Sequence, residues 1–316
     1  MGAEEEAEKE ALESDEMLLT ILESLASGEI SVKSAYEALK RLRSLRILKN
    51  FARIDTARKE RTGIPEIILA TGKSEEQVAE IALALAESQG FALVTRASSP
   101  SYAKAVREKA ERAGFHVEEN KVARTILVKH PAYEFKKVGK IAILSAGTAD
   151  IKVAEEAKIV AQVCGCEVLT AYDVGIAGLH RLSEPLERIL SEGVVAIIVV
   201  AGMEGALPSV VASLVDIPVI AVPTSVGYGL GGGGIAAILS MIQSCTPGVA
   251  VVNIDNGVAA GALAARIARV AAVATSKRNS KRSGERSGKR RKRRLTHYAL
   301  FHISLQFSSH VLKFRI

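Results

Sequence analysis

Residues 217–256 read IPVIAVPTSVGYGLGGGGIAAILSMIQSCTPGVAVVNIDN, and the order of parts in this stretch decides the fold. A β-branched run at 219–222 stops at Pro223, six glycines crowd positions 227–234, and an apolar segment follows at 235–243. After Cys245 and a Thr-Pro-Gly breaker, a second β-branched run covers 249–254. Strand, loop, helix, strand is what a parallel pair requires, because its members are joined only by a long crossover. Six glycines in eight positions cost backbone entropy and pack nothing, which suits a loop that brings backbone close to a ligand. A flexible surface loop is the plainer alternative.

Working upstream, the same unit recurs. From residue 138 the pattern gives five strand–helix pairs: 138–145 with 151–163, 167–173 with 183–192, 194–200 with 206–214, 218–222 with 235–244, and 249–254 with 257–272. Strands such as VAIIVV at 195–200 are apolar at every position, the mark of strands covered on both faces. The expectation is an α/β fold with a five-stranded parallel sheet flanked by helices. Ligands of such sheets bind beyond the carboxyl ends of the strands, so a site is expected from loops 145–150, 173–181, 201–205, 223–234 and 255–256. Ser145, Gly147 and Thr148 lead into a helix whose free N–H groups favour an anion, and Asp150 can cap that helix or face the ligand. Asp173 and the pair His180-Arg181 bring a carboxylate and a guanidinium to the same rim. Glu204, between Met203 and Gly205, is an acid with little structural reason to be there.

Before the core, residues 1–48 carry two amphipathic helices (4–27 and 31–45), and residues 49–130 alternate as a small α/β domain. Its strands are expected at 66–70, 92–95 and 123–128 and its helices at 74–88 and 99–113. Residues 131–137 read as a linker. Within DTARKERTGIPE at 55–66, Arg58 and Arg61 are three apart and share one helical face, so with Asp55 and Glu66 nearby they could clamp a phosphate or carboxylate. A solvated charged face is the simpler account.

Composition narrows the class. With 316 residues, 48% of them hydrophobic, the chain can bury two cores. The apolar stretches at 194–203 and 214–226 are too short or too interrupted for a span of about 20 residues, so no membrane helix is expected. Residues 1–18 are acidic and lack a basic start followed by an apolar core, so neither a secretory nor a transit signal is expected. Three cysteines make no disulfide framework, and Cys164 and Cys166 read as structural; a cytoplasmic or otherwise reducing compartment follows. The net charge of +7 comes from residues 275–316, which hold 13 of the 42 Lys and Arg and one of the 35 acidic residues. That tail reads as disordered, with the composition of a nuclear-localisation or nucleic-acid patch; the rest of the chain is mildly acidic. No Walker loop, dinucleotide fingerprint, His-Glu-x-x-His or zinc cluster appears, and the metal ligands are left unnamed.

The core motifs SAGTAD, YDVGIAGLHR, AGMEGALPSVV, IPVIAVPTSVGYGLGGGG and SMIQSCTPGVAVVNIDNG resemble the PurE class of aminoimidazole ribonucleotide carboxylases. They resemble more closely the LarB family, which carries that core at its C-terminal end; the upstream DTARKERTGIPEIILATGKSEEQ is similar to the stretch that precedes it there. The resemblance implies a PurE-like, flavodoxin-like three-layer core and a homo-oligomer, an octamer in the carboxylase class. It implies pyridinium-3,5-biscarboxylic acid mononucleotide synthase activity on the way to a nickel-pincer cofactor. Nicotinic acid adenine dinucleotide would be carboxylated with CO2, and its phosphoanhydride hydrolysed to release AMP. Cys245 would be the nucleophile that forms a ring adduct and Glu204 an acid–base group. Ser145, Gly147, Thr148, Asp150, Asp173, Arg181, Gly202, Met203, Gly229, Gly231 and Gly232 would bind substrate, with Mg2+ expected for the anhydride step. The carboxylase class has a histidine just ahead of the Leu-Pro of the third loop, and here Ala206 precedes Leu207-Pro208.

Two alternatives stand beside this reading. One is PurE-type carboxylation of an aminoimidazole ribonucleotide in purine biosynthesis, which the missing histidine opposes. The other is a degenerate nucleotide-binding module whose basic tail binds nucleic acid. One objection attaches to Cys245: it follows the C-terminal end of a helix, where the dipole disfavours a thiolate.

Overall fold

The computed structural model describes residues 18–42, 45–48 and 51–282. The chain divides into one unit running to Ala272 and a second from Val273. Residues 18–26 (α1) and Val32–Leu42 (α2) are helical; the expected start of the first helix at residue 4 lies outside the described residues. The second helix stops short of residue 45, where a strand, Leu45–Leu48 (β1), begins and pairs antiparallel with Ala52–Asp55 (β2). That hairpin was not expected from the sequence.

The small sheet holds Ile67–Leu69 (β3), Phe91–Thr95 (β4), His116–Asn120 (β5) and Thr125–Lys129 (β6) in the order β3-β4-β6-β5. The pair β3/β4 is parallel and the other pairings are antiparallel. Three helices accompany it, Arg58–Thr62 (α3), Glu75–Gln89 (α4) and Pro100–Arg112 (α5). Ser74 and Gln77 close the reciprocal cap of α4 that their spacing predicts. Strand β5 escapes the sequence pattern because HVEEN is a mostly exposed edge. Residues 131–137 are anchored: the rings of Tyr133 and Phe135 lie 5.1 and 5.0 Å from that of Phe91. Lys59 Nζ stands 5.0 Å from the Phe91 ring and donates to the Tyr133 hydroxyl at 2.7 Å.

The core sheet is parallel throughout. Its strands are Gly139–Ser145 (β7), Cys166–Ala171 (β8), Ile197–Ala201 (β9), Val219–Pro223 (β10) and Val249–Val251 (β11), ordered β11-β10-β9-β7-β8. The intervening helices are Ile151–Val163 (α6), Ser183–Ser191 (α7), Leu207–Leu214 (α8), Ile235–Ile242 (α9) and Gly257–Arg282 (α10). One face packs on α6 and α10 through Val153, Ala157, Val160, Ala260 and Ala264, sharing that core with Phe91 and Leu93 of the small sheet. The other face packs on α7, α8 and α9 through Leu186, Val211, Ala237 and Met241. The three-layer core with strands covered on both sides is as expected.

The end of the chain differs from expectation. Helix α10 does not stop near residue 272 but continues through Arg282, into the stretch read as disordered. The rest of the basic tail, residues 283–316, lies outside the described residues. By length and composition Gly257–Thr275 is the one described stretch apolar enough to cross a membrane. Its Ala260, Ala264 and Ala268 are buried against the core.

Candidate active site

The strand order reverses between β7 and β9, and in sheets of this winding the crevice beyond the strand ends at such a reversal is where ligands bind. The loops after β7 and β9 meet there, and Asp150 ties them together. Its side chain is 3% exposed and takes the Gly147 amide at 2.9 Å and the Thr224 hydroxyl at 2.6 Å, with the Gly202 amide also donating to it. One carboxylate thus joins the loops after β7, β9 and β10. Ser145 is fully buried, and its hydroxyl accepts the Asp173 amide at 3.2 Å, drawing in the loop after β8. Asp255 closes the ring by accepting the Ser225 amide at 2.9 Å.

Backbone strain gathers at the same edge. Asp173, Met203 and Asp255 hold φ of 58°, 54° and 55°, each just beyond the end of a core strand. Non-glycine residues adopt that region seldom and at a cost, most often where function needs it. Gly202 is obligatory for another reason: a Cβ there would stand 2.4 Å from the Val226 carbonyl and 2.7 Å from the Thr224 hydroxyl.

The remaining rim residues are presented outward. Thr148, Met203 and Glu204 are exposed, and the Glu204 carboxylate has no hydrogen bond or ion pair among the described residues. Arg181 is engaged by Asp173 at 2.6 Å. Gly229, Gly231 and Gly232 lie in a kinked turn, Gly229–Gly234, from which Tyr228 and Leu230 project into solvent.

Cys245 follows the end of α9, and the hydroxyl of its neighbour Ser244 is bonded to that of Ser209, in the first turn of α8, at 2.8 Å. Helix α9 starts at the rim and its eight residues carry the chain about 12 Å away from it. Cys245 then emerges, exposed, three residues before Gly248, whose carbonyl accepts the amide of Val219 at the beginning of β10. Within one chain Cys245 thus lies near the helix that follows Glu204, and no hydrogen bond joins the two residues among the described residues.

Two sequence patterns agree with this geometry. The pattern of AIR carboxylase matches residues 140–287, and that of the LarB/PurE-like N-terminal domain matches residues 46–132. An uncharacterised protein of Methanocaldococcus jannaschii is 45% identical over 253 residues, which cover 80% of this chain and 97% of that one. The chain belongs to the LarB family. An N5-carboxyaminoimidazole ribonucleotide mutase of the same organism is 38% identical over 130 residues, 40% of this chain and 77% of the mutase. A probable N5-carboxyaminoimidazole ribonucleotide mutase of Methanothermobacter thermautotrophicus is 33% identical over 133 residues, 40% of this chain and 37% of that one. The LarB-like architecture and the AIR carboxylase core make this a carboxylase- or mutase-type enzyme.

The N-terminal polar stretch of this LarB-like chain lies elsewhere. Arg61 holds Asp55 through two contacts, 2.9 and 2.5 Å, and the Asp55 amide donates to Glu66 at 2.7 Å. The same helix–turn places Gly63 against the guanidinium of Arg269, twelve residues and about 18 Å along α10 from its start at the rim. Arg58 belongs to this group, adding its charge to that of Arg61 in holding Asp55 below the usual carboxylate range. None of the four is at the rim of its own chain.

Thr224, Ser225 and Asp255 lie in loops that the sequence assigns to the site, but the sequence assigns their side chains no role. Their signal was faint: two hydroxyl residues directly after the end of a buried strand, where polar side chains can reach the neighbouring loop.

Asp150 supports a pH prediction. Burial, the largest influence, outweighs its hydrogen bonds and raises its carboxyl above the usual aspartate range. Ionising it therefore costs folding free energy. That cost is fully present above the folded-state pKa, declines as pH falls, and is gone below the usual range. Asp150→Asn, with the Thr224 hydroxyl turned to accept, is expected to be at least as stable as wild type near pH 7 and to lose that advantage toward about pH 4. Urea unfolding across that interval measures it.

Proposed function

We propose that this protein carboxylates the pyridinium ring of nicotinic acid adenine dinucleotide with CO2 and hydrolyses the phosphoanhydride to release AMP. The observation that carries the reading is the rim after β9: Glu204 stands without a partner among the described residues, and Ala206 occupies the position of the carboxylase-class histidine ahead of Leu207-Pro208. A carboxylate suited to ring-proton transfer is thus present, and the proton carrier of the imidazole chemistry is not. A phosphate would sit against Thr148 and the first amides of α6, where the helix dipole favours negative charge.

The chemistry follows from the electron demand of the ring. A pyridinium is too electron-poor to attack CO2. Addition of a thiolate forms a C–S bond and leaves a neutral dihydropyridine whose enamine carbon is nucleophilic. That carbon bonds to CO2, a base removes the ring proton, and the electron pair expels the thiolate as aromaticity returns. Glu204 is the base, and water supplies the oxygen for the anhydride cleavage. Cys245, exposed beyond α9, supplies the thiolate, in this reading from a second copy of the chain. The outward residues of α9, Ile235, Leu239 and Ile242, form an exposed apolar stripe at helical spacing, a surface suited to contact between copies in a homo-oligomer. Among the described residues, no three of His, Cys, Asp and Glu come together to hold a metal. Mg2+ of the kind expected for the anhydride step is commonly held by one or two carboxylates together with the substrate's own phosphates.

Incubation with nicotinic acid adenine dinucleotide and bicarbonate, followed by intact-mass measurement, tests the reading. Release of AMP and a mass increase on the protein that disappears in Cys245→Ala are the expected results. The second reading, rearrangement of a carboxylated aminoimidazole ribonucleotide, draws on what the two archaeal mutases are named for. Turnover of that ribonucleotide without AMP release from the dinucleotide would put it first.

A further inference from the structure

The small domain reaches the rim of the core through one side chain. Arg96 follows β4, with φ of 56°, in the same uncommon backbone region as Asp173, Met203 and Asp255. Its Nη2 donates to the carbonyl of Asp255 at 2.7 Å, across 159 residues of sequence, and its Nε lies 3.6 Å from Glu156 Oε1. Glu156 is 5% exposed and also accepts the amides of Gly257 and Val258, the first residues of α10. Arg96 therefore reaches the turn between β11 and α10 twice, directly at the Asp255 carbonyl and indirectly through Glu156 of α6.

That turn in turn anchors the glycine-rich segment. The Asp255 amide donates to the Pro223 carbonyl at 2.8 Å, and its Oδ1 accepts the Ser225 amide at 2.9 Å. Ser225 adjoins Thr224, whose hydroxyl bonds Asp150. The path from Arg96 to Asp150 consists of direct contacts, and each link after the first joins a loop at the ligand-binding edge. The Arg96 side chain is 43% exposed, so its ion pair adds little stability by itself. Its geometry is what matters: a planar fork spans a carbonyl and a carboxylate at once, which a single ammonium matches poorly.

We propose that Arg96 is a positioning residue, through which the small domain fixes the Asp255 turn and so sets the resting place of the glycine-rich segment over the nucleotide site. The nucleotide part of this inference rests on the function proposed above; the mechanical part does not. The two are separated by two measurements on the full chain. The first is hydrogen exchange without substrate, comparing wild type with Arg96→Ala. Exchange is expected to rise about tenfold in segments 224–234 and 253–258 while β7 and β9 keep wild-type protection. The second is turnover of nicotinic acid adenine dinucleotide, where KM is expected to rise about tenfold with kcat changed less than about twofold, the signature of lost ground-state binding.

Arg96→Lys guards against a folding defect. It keeps a positive charge beside Glu156 and is expected to shift both readouts in the same direction, by less. Wild-type exchange at 224–234 in folded Arg96→Ala overturns the proposal. So does wild-type exchange in Arg96→Lys if Arg96→Ala does not fold. Equal loss of protection in β7 and β9 also overturns it, because it would mean general destabilisation. If the wild type does not turn over the dinucleotide, the proposed function fails while hydrogen exchange still decides the role of Arg96.

Discussion

Co-expressed in equal amounts, Cys245→Ala and Glu204→Gln chains are expected to recover turnover that neither has alone. Each variant by itself should lose about a thousandfold in kcat/KM, since one lacks the proposed nucleophile and the other the proposed base. If every site draws its thiol from one copy and its carboxylate from another, random assembly gives about a quarter of the sites both intact groups. If one chain supplied both groups, every site would carry a lesion and mixing would restore nothing. Activity of the separated and mixed assemblies therefore distinguishes the arrangements by more than two orders of magnitude. An unrecovered mixture of two inactive variants would put both groups in one chain and overturn the two-copy site, and full activity of Cys245→Ala alone would remove Cys245 from the proposed chemistry.

The second large effect is expected at Gly202. Its φ imposes no strain on other residues, so Gly202→Ala tests space alone. The added methyl would meet the Val226 carbonyl, the Thr224 hydroxyl and the Val226 side chain at 2.4, 2.7 and 2.8 Å. One of these contacts is backbone, so side-chain rotation cannot relieve them all. The loops after β9 and β10 must separate, and with them the hydrogen bonds that converge on Asp150. A loss of about 2–4 kcal/mol in unfolding free energy is expected, with kcat/KM lower by about a hundredfold because a shift of about 1 Å at a positioned site has that effect. Wild-type stability and wild-type activity in this variant would mean that the rim can yield where it looks closed.

The five core strands were legible because strands buried on both faces cannot tolerate polar residues. Runs such as IIVVA at 197–201 have no other ready reading. The edge strand β5 was not, since HVEEN faces solvent and carries no alternation of its own. The candidate loops were also legible, from the rule that ligands lie beyond strand ends. What holds those loops together was not. The contact between Asp150 and Thr224 spans 74 residues, and no local pattern encodes it. The position of Cys245 was partly legible: its place after a crossover helix had already counted against a thiolate there, whereas the bond that sets Ser244 beside Ser209 of α8 spans 35 residues and no local pattern encodes it. The extension of α10 to Arg282 was masked by charge density, since Lys and Arg are good helix formers even where their abundance suggests disorder.

The two ends of β4 bear on how a ligand gets in. At one end Phe91 is wedged with Tyr133, Phe135 and the Lys59 ammonium; at the other Arg96 grips the start of α10. The first contact ties the small domain to the segment that leads into the core, and the second ties it to the core itself. Any opening of the crevice would then fall to the polyglycine segment beyond its anchor at Ser225, where Leu230 is fully exposed, and product escape is expected to keep pace with that segment's movement.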